Sequence, residues 1–217
     1  MIARQRRSAA AAKGQTRAYA DRVVELARVL RPEIPAPESP GTPAFVVVLM
    51  GGPGVGKSHC ARLLCARLGA AHVGSDHLRS RLFIAASYAR AESGTVFRVV
   101  DALVDLLLVE GHRVVLDATN LLHRNRSAAT RAARRRGVPL VHVRITSDER
   151  DVLARLAKRR TDRQEGDHSD ADEAVHRGMS EFEPPAGGHL ELRNGTAVER
   201  EVERIAGEVE RRCAPAS

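Results

Sequence analysis

The run Gly51-Gly52-Pro53-Gly54-Val55-Gly56-Lys57-Ser58 satisfies the pattern G-x-x-x-x-G-K-[ST]. It stands between an apolar run, Phe45–Met50, and a stretch with helical spacing, Lys57–Leu68. Each residue type there serves a polyphosphate. Glycines let the backbone curl so that its N–H groups converge on an anion, and a helix N-terminus adds partial positive charge. The ammonium of Lys57 is long enough to reach the β- and γ-phosphates, and the hydroxyl of Ser58 is the oxygen expected on Mg²⁺. The candidate nucleotide-binding residues are therefore Gly52, Pro53, Gly54, Val55, Gly56, Lys57, Ser58 and His59. No guanine-reading motif stands out, so ATP is the default nucleotide.

Where the phosphate goes depends on other residues. Ser75-Asp76-His77-Leu78-Arg79 follows a short apolar segment, Ala71–Gly74, and strand ends at the carboxyl edge of a parallel sheet flank its ligand crevice. A carboxylate at Asp76 can accept the proton of an attacking hydroxyl, and Arg79, one helical turn on, can hold an anionic substrate group. The same spacing also suits Asp76 as a plain helix N-cap. The run Val114-Val115-Leu116 ends in Asp117-Ala118-Thr119-Asn120. Asp117 is the candidate organiser of Mg²⁺ and of Ser58, while Asn120 either meets substrate or caps the next helix. Arg126 follows in that helix. Arg155, Arg159, Arg160 and Arg163 cluster further on, and arginines brought over a triphosphate neutralise charge developing in phosphoryl transfer.

These side chains need a scaffold that delivers them to one edge. Phe45–Met50, Ala71–Gly74, Val114–Leu116, Leu140–Ile145 and Leu190–Leu192 read as strands. Lys57–Leu68, His77–Tyr88, Gly94–Glu110, Leu121–Arg136, Glu149–Arg160 and Ala197–Arg211 read as helices, with Gly69, Gly111 and Gly137 at their ends. Alternation of this kind predicts an α/β, P-loop NTPase-type parallel five-stranded sheet with helices on both faces. Residues 1–43 form a separate extension: a basic tail, an amphipathic helix over Thr16–Leu30, and a linker with Pro32, Pro35, Pro37, Pro40 and Pro43. Residues 44–217 make the main domain, with a polar lid around 159–185 that holds a short helix at Asp172–Met179.

Composition narrows the partners. The chain has 217 residues, 35 Lys+Arg against 27 Asp+Glu, and a formal charge of +8, which favours phosphate-bearing partners. Only Lys13, Lys57 and Lys158 are lysines, so arginine carries almost all the positive charge, a pattern that genomic composition also produces. Aromatics are 3% of residues, too few for a surface built on stacked bases. Three cysteines, Cys60, Cys65 and Cys213, form no even framework, and with no secretory or membrane-spanning segment the expected compartment is the cytoplasm.

Taken in order, the loop Gly51–Ser58, then Ser75-Asp76-x-x-Arg79, then Asp117-Ala118-Thr119-Asn120 with Arg126, then the later arginines, Ser169-Asp170-Ala171 and Phe182-Glu183-Pro184-Pro185 resemble a family of P-loop kinases. That family includes the kinase domain of polynucleotide kinases and, more loosely, the zeta toxins and chloramphenicol phosphotransferase. The resemblance covers about Phe45 to Leu192. It implies that Asp76 is the general base, that Arg79 contacts substrate phosphate, and that Lys57 and Ser58 serve ATP and Mg²⁺. Arg155 or Arg159 would embrace the nucleotide phosphates. The expected activity is transfer of a γ-phosphoryl group to a hydroxyl, either a nucleic-acid 5′ end or a small molecule. The competing expectation is a nucleotide-dependent switch with no phosphoryl acceptor.

Overall fold

Five consecutive apolar residues with no polar interruption belong at the centre of a sheet, and Val46–Met50 forms the fully buried central strand β1. The computed structural model of the chain describes residues 19, 21–38, 43–83, 90–161 and 181–215. β1 pairs with β3 (Arg113–Asp117) on one side and β4 (Leu140–Thr146) on the other, and β2 (Ala70–Gly74) and β5 (Leu190–Arg193) complete the sheet. All pairings are parallel and the strand order is β2-β3-β1-β4-β5. The expected α/β architecture is therefore the one observed.

Side chains alternate across a strand, so β1 feeds two cores at once. Val46 and Val48 pack with helices α1 (Val23–Leu30), α4 (Arg90–Val109) and α5 (His123–Arg136). Val47 and Leu49 pack with α2 (Lys57–Leu68), α6 (Glu149–Thr161) and α7 (Val198–Cys213). Gly69 and Gly137 adopt the left-handed conformation that ends α2 and α5, with φ of 57° and 64°.

The N-terminal extension packs on this framework. In α1, Ala27 and Leu30 enter the core beside α4, and Tyr19 meets the edge of Phe83. The segment expected to be a linker is held at its start: Ile34 is buried, and the Pro35 carbonyl accepts the N–H of His72. Pro40 lies outside the described residues.

Several helix boundaries differ from the sequence expectation, among them that of α1, which runs over Val23–Leu30 rather than Thr16–Leu30. Helix α3 covers Ser75–Leu82 rather than His77–Tyr88, because Phe83 turns to extended backbone and buries its ring. Residues 84–89 lie outside the described part. Helix α4 begins at Arg90, earlier than Gly94. Helix α5 begins at His123 instead of Leu121, since the carbonyls of Asn120 and Leu121 are both taken by the Arg126 guanidinium and Asn120 is left-handed at φ 48°. Of the lid expected around 159–185, residues 162–180 lie outside the described residues, and with them Arg163 and the helix at Asp172–Met179.

Candidate functional site

The loop Gly51–Gly56 leaves the carboxyl end of β1 and runs into α2, so it sits at the point where the chain's crossovers diverge to either side of the sheet. Its shape needs glycine at two places. Gly54 has φ of 78°, and a Cβ there would lie 2.9 Å from both Leu156 and Val152 of α6. Gly56 has φ of 86°, and a Cβ there would run into the Asn194 side-chain amide. No L side chain fits either position without moving α6 or Asn194.

Protein donors take the loop carbonyls one by one. Lys57 Nζ donates to the Gly52 carbonyl at 2.9 Å, Arg155 Nη1 to that of Gly54 at 3.2 Å, and Asn194 Nδ2 to that of Val55 at 2.8 Å. The Gly51 N–H in turn donates to the Thr119 carbonyl at 3.0 Å, joining the loop to the exit of β3. Ser58 and His59 occupy the first turn of α2 and are exposed.

Asp117 closes β3 in register with Leu49 of β1 and Gly74 of β2, which brings its buried carboxylate to the same edge as the loop. Burial alone would raise its pKa, but hydrogen bonds from His72 and Ser58 and the charge of Lys57 outweigh burial and hold it below the usual carboxylate range. His72 Nε2 lies 3.4 Å from Asp117 Oδ2. This cluster of carboxylate, hydroxyl and ammonium is the arrangement expected beside a cation on a polyphosphate, where phosphates and waters supply most of the ligands. Among the described residues no group of three His, Cys, Asp or Glu forms a metal cage of its own.

Asp76 lies in the first turn of α3, just beyond the end of β2. The N-cap position of that helix is held by Gly74, and Asp76 is the second helical residue rather than the N-cap. Arg79 is 5% exposed. Its Nη1 donates to Glu92 of α4 at 2.5 Å and its Nη2 to Ser93 Oγ at 3.4 Å. Expected at an anionic substrate, this guanidinium points into the junction of α3 and α4.

Asn120 and Arg126 are also drawn into the framework. Asn120 donates its Nδ2 to the Leu49 carbonyl at 2.9 Å, tying the exit of β3 to the end of β1, and it caps no helix. Arg126, 2% exposed, donates to the carbonyls of Asn120 and Leu121, both at 2.7 Å, and of Glu183 at 2.6 Å. The bonds described for both go to backbone carbonyls. Arg155 likewise serves the loop and Ser147 Oγ, at 3.0 Å, from its place on α6. Arg159 belongs to the same helix.

Three residues at the site carry no motif signal: His72, Ser147 and Asn194. His72 sits in a strand next to Asp117 only through the β2–β3 register, and Asn194 reaches the loop only because β5 lies beside β4. Cys60, in the second turn after the loop, is no nucleophile at neutral pH, since burial pushes its thiol up to about 12.

Comparison with known proteins places this geometry. A family model described as AAA domain matches residues 46–185. No curated protein matches the chain. Among solved structures, Mycobacterium tuberculosis APS kinase CysC in complex with AMPPNP and APS is 21% identical, covers 79% of this chain and 99% of its own, and superposes with a TM-score of 0.60. Chaetomium thermophilum Kti12 in complex with ADP-AlF3 is 18% identical over 78% of this chain and 100% of its own, with a TM-score of 0.64. A sugar kinase from Janibacter sp. is 16% identical over 80% of this chain and 97% of its own, with a TM-score of 0.60. At these identities the likeness is one of fold.

Proposed function

The chain belongs to the AAA domain family, and from that premise we propose that it is an ATP- and Mg²⁺-dependent kinase that transfers the γ-phosphoryl group to a hydroxyl acceptor. The observation that carries this reading is the position of Asp76. It stands past the end of β2, across β3 and Asp117 from the loop, in the first turn of α3 and not at its N-cap. A carboxylate facing the phosphate site from that side can take the proton of an incoming hydroxyl, while the loop amides and Lys57 hold the transferring group. Ser58 and Asp117 would hold Mg²⁺, which supplies charge neutralisation at the β- and γ-oxygens when bound.

Two acceptors fit: the 5′-hydroxyl of a nucleic acid, which the polynucleotide-kinase resemblance implies, and a small-molecule hydroxyl, which the named APS and sugar kinases of the same fold bring to mind. A second reading, a nucleotide-driven switch, draws on one observation. Arg79, expected to meet an anionic acceptor, is paired with Glu92 instead.

One experiment separates them: ATP labelled on its γ-phosphate is offered, with Mg²⁺, to 5′-hydroxyl oligonucleotides and to a panel of nucleosides, sugars and hydroxylated antibiotics. Label on an acceptor, lost by about a hundredfold or more in Asp76→Asn with ATP affinity kept within a few-fold, is the expected result. Free phosphate as the sole product, at a rate Asp76→Asn leaves unchanged, overturns the kinase reading in favour of the switch.

A further inference from the structure

Asn194 follows the last residue of β5 and lies beyond the segment matched by the family model, yet it is built into the phosphate-binding loop. It is 5% exposed, and both its backbone and its side chain are engaged. Its N–H donates to the Thr146 carbonyl at 2.7 Å, its carbonyl accepts the Ser147 hydroxyl at 2.8 Å, and its Nδ2 donates to the Val55 carbonyl at 2.8 Å. Ser147 Oγ also accepts from Arg155 Nη1, which reaches the Gly54 carbonyl. Asn194, Ser147 and Arg155 thus form one connected brace along two successive loop peptides.

We propose that Asn194 is a positioning residue for nucleotide binding, turning the Val55 carbonyl toward β5 so that the Gly56 N–H faces the β-phosphate of a bound nucleotide. The inference rests on the reading of this loop as a nucleotide site. In a trans peptide the carbonyl and the following N–H point in opposite directions. A carbonyl held toward β5 therefore aims the next amide away from it. Arg155 does the same for the Gly54 carbonyl and the Val55 N–H. A side-chain amide suits the task because it is a neutral donor, whereas a carboxylate would set two acceptors face to face beside an anion site. Anchoring the Asn194 backbone at both its N–H and its carbonyl fixes the direction of that donor. The missing Cβ of Gly56 is what lets it approach.

The test titrates the full chain, as wild type, Asn194→Ala, Asn194→Asp and Ser147→Ala, with ADP and with AMP in the presence of Mg²⁺ by calorimetry. Loss of one bond to a loop carbonyl should weaken ADP binding about tenfold in Asn194→Ala, more in Asn194→Asp, and a few-fold in Ser147→Ala. AMP, which has no β-phosphate, should shift by less than about twofold, so the preference for ADP over AMP collapses. A merely structural role would lower the melting temperature and leave that preference intact. Unchanged ADP affinity in folded Asn194→Ala, or equal losses for ADP and AMP, overturns the proposal. If Asn194→Ala does not fold, the ADP-to-AMP ratio of Ser147→Ala, at a half-buried position, decides in the same way. A wild type that binds neither nucleotide overturns the nucleotide reading itself, and the role of Asn194 with it.

Discussion

Arg126 and Glu183 hold each other's neighbourhoods in place from both ends. The guanidinium donates to the Glu183 carbonyl at 2.6 Å, while the Glu183 carboxylate accepts the N–H of His123 at the start of α5 at 2.5 Å. The Glu183 N–H returns a bond to the Leu121 carbonyl at 3.1 Å. The exit of β3 and the segment leading to β5 are thereby one unit.

Removal of the buried guanidinium should be costly. Arg126→Ala takes a donor from three backbone carbonyls, of which that of Leu121 keeps the Glu183 N–H, and is expected to lower stability by about 3 kcal/mol in urea unfolding. Arg126→Lys should recover less than half of that, because a single ammonium does not reproduce the planar fork that spans carbonyls on two segments.

The Arg79–Glu92 pair is almost fully buried, with side chains 7% and 2% exposed. Breaking such a pair leaves a charge in a low-dielectric site, so Glu92→Gln is expected to cost about 3 kcal/mol in chemical denaturation. The double variant Arg79→Met/Glu92→Leu should be more stable than Glu92→Gln alone. If the double variant is the weaker of the two, the pair is contributing more than mutual neutralisation.

Asp117 should set the metal requirement. In Asp117→Asn the shape is kept while the charge beside Ser58 and Lys57 is lost, and the Mg²⁺ concentration giving half-maximal turnover should rise about tenfold or more. Titration of activity against Mg²⁺ at saturating ATP reads this directly; an unchanged midpoint removes Asp117 from the metal site.

His142 should contribute acid sensitivity. Burial first, and then the charge of Arg126 and the neighbouring His189, push its pKa down to about 4 from the ordinary 6.5, and its Nε2 has no hydrogen-bond partner among the described residues. Protonation therefore favours the unfolded chain: the contribution is present in full above pH 6.5 and is lost as pH falls through about 4. His142→Leu should flatten the fall in stability over that window by about 2 kcal/mol, measured as unfolding free energy at pH 7 and at pH 4.

How much of this was legible beforehand differs between the elements and the side chains. The loop Gly51–Ser58 and the strand run Phe45–Met50 are local patterns, and periodicity plus glycine placement is enough to locate them and the sheet they serve. Arg79, Asn120 and Arg126 were legible as chemistry but not as contacts. The Leu49 and Glu183 carbonyls are remote in sequence and Glu92 sits on the next helix, and nothing in a one-dimensional pattern says that a guanidinium will meet a carboxylate or a backbone oxygen rather than a phosphate. Asn194 was invisible for the same reason: an asparagine before a glycine at a strand end looks like an ordinary turn. The early end of α3 follows from the burial of Phe83, a packing outcome that helical spacing through Tyr88 conceals.

The placement of Asn194 also bears on the order in which the molecule matures during synthesis. The loop and β1 leave the ribosome before β3 and β4, with which β1 pairs, and the brace on Val55 waits for the residue after β5. Parallel pairings between distant segments form slowly and late. A nascent chain that has not yet exposed residue 194 should therefore gain little protection from nucleotide, which can act as a stabilising ligand only once that residue has emerged.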